Sequence, residues 1–174
     1  MPPNPLPKVL VDADVVSHFL TGNRMALLNV VFPGRLALLT QVEDELRVVR
    51  KFNTTLDNFI RFCQVEQIAL PDNDLALALE YAMLQRTFGK GESACMALAR
   101  HHAHYIASSN LRDIRAYCEQ YSIKYYTTSD ILHLAVIGQH LTIPECNEFI
   151  AEVRAAGGKM PYATYQQFKQ ANGL

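Results

Sequence analysis

Short apolar runs alternate with amphipathic stretches along this chain. Lys8-Val-Leu-Val11 is β-branched and carries no charge after Lys8, the pattern of a strand buried on both faces, and Asp12-Ala-Asp14 closes it. A short helix over Val15–Leu20 follows and stops near Gly22. Asn29–Pro33 is ambiguous and ends in a turn at Pro33-Gly34. Arg35–Thr40 reads as a second strand, and Thr40 or Gln41 starts a helix carrying Glu43, Glu45, Leu46 and Val49. Asn53 or Thr54 is expected to cap the next helix, whose apolar face is Leu56, Phe59, Ile60 and Cys63. Ile68-Ala-Leu70 is a short exposed strand or a plain connection.

Pro71-Asp72 is expected to begin a helix reaching Phe88, with Leu75, Leu79, Ala82 and Met83 as its core stripe. Gly89-Lys-Gly91 breaks it. Glu92–His102 is a further helix, with Cys95, Leu98, Ala99 and His102 on one face. Tyr105–Ala107 is a third strand, followed by the polar loop Ser108-Ser-Asn-Leu-Arg112 and a helix from Asp113 bearing Ile114, Tyr117, Cys118 and Tyr121. Ile123–Thr127 is a fourth strand, and Thr128 or Ser129 caps a helix over Asp130–Gly138. Pro144 opens a helix that runs to Ala156 and stops at Gly157-Gly158, and Pro161 starts a last one. Strands alternating with helices predict an α/β fold: three α/β/α layers around a mostly parallel sheet of four or five strands. Residues 8–174 are expected to form a single domain after a disordered or extended lead over residues 1–7.

Composition narrows the classes. The 174 residues are 49% hydrophobic, enough for a sizeable core. A net charge of −1 argues against a broad basic face for duplex nucleic acid, while leaving room for a small positive patch. The four cysteines, at 63, 95, 118 and 146, form no CxxC pair. They are expected as buried thiols in a reducing, cytoplasmic setting. No apolar run approaches the ~20 residues that span a bilayer, and MPPNPLPK is too short for a signal peptide.

Four acids, Asp12, Glu45, Glu92 and Asp113, stand where an α/β chain can gather them at the carboxyl ends of parallel strands. Clustered carboxylates repel one another unless a cation neutralises them, which points to metal-dependent phosphodiester chemistry. Each acid also has a plainer role as a helix cap or first-turn residue. Glu43 competes with Glu45 for the second position. Asp14, Ser109, Asn110 and Asp130 are accessory candidates. Lys90, Arg112 and Arg115 are either phosphate contacts or ordinary surface charges. Gly-Lys-Gly-Glu lacks the spacing of a nucleotide-binding loop and does not follow a strand. His101, His102 and His104 share no helix face suited to zinc and form no HExxH pattern.

In these residues the chain resembles the PIN-domain nucleases, in particular the toxin ribonucleases of bacterial toxin–antitoxin pairs. VLVDADVVSHFL resembles that family's first strand and aspartate, TQVEDEL its second-acid segment, GKGESACMALA its Gly-Glu helix, and YIASSNLRDI the strand and loop ending in the fourth acid. TTSDILHLAVIGQHLTIPECNEFIAEVRAAGGKMP resembles the closing helices of one branch. The resemblance covers about residues 8–168, and the order of the motifs is more specific than any one of them. Asp14 stands where many members carry asparagine, and Asn110 where some carry a further aspartate. The resemblance implies a Mg2+- or Mn2+-dependent endoribonuclease with Asp12, Glu92, Asp113 and Glu45 as catalytic, metal-holding residues. It also implies single-stranded or loop RNA as substrate, 5′-phosphate and 3′-hydroxyl products, a homodimer and a small antitoxin partner. The Leu56–Cys63 and Leu75–Met83 faces would supply the dimer surface or simply core. Two other readings compete. One is a catalytically silent PIN-like binding module. The other is an aspartyl-phosphate phosphatase, for which Asp12-Ala-Asp14 fits a DxDxT loop but Val16 does not.

Overall fold

A computed structural model describes residues 6–174, so most of the expected lead, residues 1–5, lies outside the described residues. Five strands, β1 (Val9–Val11), β2 (Leu36–Leu39), β3 (Glu66–Ile68), β4 (Tyr105–Ala107) and β5 (Tyr125–Tyr126), form one sheet in the order β3-β2-β1-β4-β5. Every neighbouring pair is parallel. The strands β1 and β2 are buried at every position because helices cover both faces of the sheet. Edge strand β3 is Glu-Gln-Ile and largely exposed, polar side chains blunting an open edge. The architecture is thus three-layer α/β/α with a five-stranded parallel sheet, compatible with a PIN-like fold in general.

The strand order places the crevice. From β1 the chain steps outward to β2 and β3, then returns to the far side of β1 to lay down β4 and β5. The connections after β1 and β4 therefore diverge between those two strands, the switch point at which open α/β sheets leave a cleft beyond their carboxyl ends. Register completes the placement: Val11 pairs with Ala107, and the Asp12 N–H donates to the Ala107 carbonyl at 2.9 Å. Asp12 and Ser108 leave the sheet side by side.

The helices are α1 (Ala13–Thr21), α2 (Ala26–Val31), α3 (Thr40–Arg47), α4 (Asn53–Phe62), α5 (Leu75–Leu84), α6 (Lys90–His102), α7 (Leu111–Gln120), α8 (Thr128–Ile137), α9 (Ile143–Ala155) and α10 (Tyr165–Ala171). Helix α6 packs on β1, β2 and β4 and is buried from Gly91 through Ala99. It ends where Ala103 takes a left-handed conformation at φ 53°. Both α8 and α9 open with capping boxes, Thr127 with Asp130 and Thr142 with Glu145, each satisfying two terminal N–H groups reciprocally.

Several expected boundaries move. Phe52, rather than Asn53 or Thr54, flanks the start of α4, with no side-chain cap. Thr127, rather than Thr128 or Ser129, caps α8. Helix α5 starts three to four residues beyond Pro71-Asp72 because Asp74 caps it through the Leu77 N–H at 3.0 Å. Helix α10 starts at the Thr164 cap rather than at Pro161. The expected core stripe on α5 is also corrected. Leu75, Leu79 and Met83 are 73%, 58% and 67% exposed, and Leu77 is the inward residue. That helix is apolar nearly all round, so its sequence period does not select a face.

Helices α1 and α9 pack closely. The rings of Phe19 and Phe149 lie 5.0 Å apart, and a Cβ at Gly22 would stand 2.4 Å from Phe149 Cδ2. Gly22→Ala must displace a buried ring, and is expected to lower stability by roughly 1–3 kcal/mol. A lower urea midpoint at unchanged m value would show it.

Candidate functional site

Asp12 ends β1 and caps α1, its Oδ1 accepting from the Ala13 N–H at 2.8 Å. In the first turn of the same helix, Asp14 accepts from the Val15 N–H at 2.6 Å and from the Ser109 N–H at 2.8 Å. The second bond ties α1 to the loop after β4. Glu92 sits in the first turn of α6, which Gly89 opens in an extended conformation. Asp113 lies in the first turn of α7, after Asn110. The Asn110 amide donates from its Nδ2 to Glu92 Oε1 at 3.0 Å and to Asp113 Oδ2 at 2.8 Å, one hydrogen for each carboxylate. Glu45, on α3, reaches the Gly91 N–H at 2.8 Å and so stands beside the start of α6. A Cβ at Gly91 would come 3.1 Å from Glu45 Oε2, so the glycine leaves room for that approach.

The four acids singled out in the sequence are thus brought round one crevice, together with Asp14, Ser109 and Asn110. Glu43 is drawn elsewhere, to Arg47 at 2.6 Å and Gln67 at 2.6 Å. Asp130 forms the capping box of α8, its Oδ2 accepting from Thr127 N–H and Oγ1 at 2.8 and 2.7 Å. Lys90 is exposed at the start of α6. Arg112 is exposed and reaches back to Asp113 Oδ1 at 3.0 Å. Arg115 lines a shallow surface beside it. His101 bonds Glu80 Oε2 at 2.6 Å on the other end of α6. Val16, where a phosphatase loop would need threonine, is fully buried.

Electrostatics single out two of the acids. Asp12 and Glu92 are 6% and 8% exposed, and among the described residues no Lys, Arg or His pairs with them or with Asp14. Burial, then repulsion from Asp14 and Glu92, pushes the Asp12 carboxyl up to about 8 against the bonds from Ala13 and Ser108. Burial, then repulsion from Asp113 and Asp14, pushes Glu92 up to about 7. Burial also raises Asp14, with the Ser109, Val15 and Asn110 N–H groups working against it. Asp113 is lowered by its bonds from Arg112 and Asn110. Beneath them the buried Cys95 thiol is driven well above its usual range by burial and by the same acids. All four cysteines are free, and three are buried.

The donor set is made of hard oxygens, which suits Mg2+ or Mn2+ better than zinc. Buried carboxylates that cannot all ionise without a counter-charge fit a cation as well. Among the described residues, no three Asp, Glu, His or Cys side chains converge into a ready coordination shell.

Sequence reasoning passed over one group. His18, one turn beyond Asp14 on α1, is 7% exposed, and its Nδ1 lies 2.9 Å from Thr128 Oγ1. Thr128 in turn meets Ser109, through hydroxyl to hydroxyl at 2.9 Å and Thr128 N–H to Ser109 Oγ at 2.9 Å. The only sequence signal was the i, i+4 spacing of Asp14 and His18, which places both on one helix face. Burial lowers the His18 pKa.

No family model matches this chain, and no curated protein matches it. Among the described residues, no helix is long and apolar enough to cross a membrane.

Proposed function

We propose that this chain is a Mg2+- or Mn2+-dependent endoribonuclease cutting single-stranded or loop RNA. The observation that carries this reading is the pair of buried carboxylates, Asp12 and Glu92, which no cationic side chain among the described residues pairs with, at the switch point of a parallel sheet. Asp12 and Glu92 would hold the cation, with Asp113 and Glu45 completing the set. A cation there supplies an activated water and stabilises charge on the scissile phosphate. The chain's own groups do the positioning. Asn110 spaces Glu92 from Asp113, and the Ser109 N–H fixes Asp14 at the mouth of the crevice. The resemblance to the toxin ribonucleases supports RNA over DNA, and adds a homodimer and a small antitoxin as partners. The exposed Leu75, Leu79 and Met83 face of α5 is a surface on which a second copy would bury apolar area.

The spacing of the acids favours one second reading, a PIN-like binding module without chemistry. The test is incubation of a mixed structured and single-stranded RNA pool with Mn2+, Mg2+ or EDTA, using wild type and Glu92→Gln. Cutting that needs the cation and is lost in the variant supports the nuclease. RNA left intact by wild type, with no heat of Mn2+ binding in calorimetry, establishes the silent module instead.

A further inference from the structure

Next to the acids lies a cavity of about 930 Å³, at the upper end of the ~300–1,000 Å³ found for ligand clefts. One wall is the loop after β4 and the start of α7, and the other is the segment from Gly157 to Pro161 that follows α9. Asp14 and Asn110 belong to its lining, so the cavity opens directly on the carboxylate crevice. Away from that junction its character changes. Arg112, Arg154 and Lys159 line it, Asp14 is its sole acid, and Leu111, Met160 and Pro161 supply apolar surface. Arg154 is engaged with the Met160 carbonyl at 2.8 Å and braces the wall. Arg112 and Lys159 are exposed.

His18 also lines the cavity, and its hydrogen bonds set its orientation. His18 Nδ1 lies 2.9 Å from Thr128 Oγ1, and Thr128 in turn meets Ser109 through both its hydroxyl and its N–H, so the ring is held from its Nδ1 side. Gly158 closes over it: a Cβ there would stand 3.2 Å from His18 Cδ2 and 2.5 Å from Val153 Cγ1.

A cationic rim, apolar walls and one imidazole beside an acidic crevice suit a nucleotide with its phosphate at the rim and its base inside. We propose that this cavity is the subsite for the nucleotide neighbouring the scissile bond of a single-stranded RNA. Arg112, which otherwise rests on Asp113 Oδ1, and Lys159 take its phosphate, and the His18 ring takes a polar edge of the base. The subsite rests on the ribonuclease reading for its substrate, but it makes a separate claim about where RNA lies. A duplex end is excluded by the need to turn one base into the cavity.

The test is binding and crosslinking of a fluorescent ten-nucleotide RNA containing 4-thiouridine, in EDTA, with cleavage in Mn2+ measured in parallel. The subsite predicts crosslinks to the segments 109–112 and 157–161. It predicts at least about tenfold weaker binding for Arg112→Ala/Lys159→Ala, and several-fold weaker binding for His18→Phe with recovery in His18→Gln. Crosslinks elsewhere, with binding unchanged in these variants, overturn the subsite; persistent cation-dependent cleavage would then show that the nuclease reading survives. Crosslinks at these segments without cleavage support the subsite and count against the chemistry. Absence of both RNA binding and cleavage overturns the two together.

Discussion

Asp12→Asn is expected to reduce cation-dependent RNA cleavage by about 10³-fold or more, equivalent to ~4 kcal/mol of transition-state stabilisation. It is also expected to leave the cation-free protein more stable at pH 8. Both effects come from one charge. Asparagine keeps an oxygen to accept from the Ala13 N–H, so the cap on α1 survives. What is lost is an anion that the fold buries without a cationic side chain. The sign follows from the raised carboxyl. In the unfolded chain Asp12 ionises near its ordinary value of 3.8, whereas in the fold it holds its proton up to about pH 8. Between those limits the folded state binds more protons, so stability is full below pH 4 and falls as pH rises towards 8, with a slope approaching ~1.4 kcal/mol per pH unit. Glu92 adds to the same slope up to about pH 7. Urea denaturation at pH 5.5 and 8, in EDTA, should show the decline in wild type and a shallower one in Asp12→Asn. A variant with full activity would remove Asp12 from the chemistry, and an unchanged slope would remove the burial account.

The second large effect is the converse. Mn2+ at about a hundred times its dissociation constant should stabilise the fold at pH 8 by ~2.7 kcal/mol. For a chain of this size that amounts to about 5–11 °C in melting temperature. At pH 5.5 the gain should be mostly gone, because protons on Asp12 and Glu92 then compete with the cation. Glu92→Gln should abolish most of the gain at pH 8. Differential scanning calorimetry with Mn2+ and with EDTA reads this directly. A gain equal at the two pH values would mean that the ion binds some other group.

Much of this site was legible in the sequence because it depends on local order. An acid directly after a buried Val-Leu-Val run must leave the sheet at its end. A Gly-Lys-Gly-Glu stretch before an apolar helix must put the glutamate in the first turn. The strand at Tyr105–Ala107 and the alternation around it were legible for the same reason. Helix starts were less so, since Pro71 and Pro161 are compatible with a first turn but do not compel one. The side chains of Asp74 and Thr164 decide instead. The outward face of α5 was hidden by its nearly uniform apolar surface. The His18–Thr128–Ser109 chain was out of reach because it joins residues 110 positions apart, and only the sheet order brings them together.

Helix α6 carries a consequence of another kind. It is the helix on which the core closes, buried from Gly91 through Ala99, and Glu92 stands within that stretch. Its charge is unfavourable where it lies, and a neutral residue of the same shape would ease the fold. Placed in that packed stretch, the ionised glutamate loads the fold at the point where the sheet and its covering helix meet, and a counter-charge beside it would relieve that load directly.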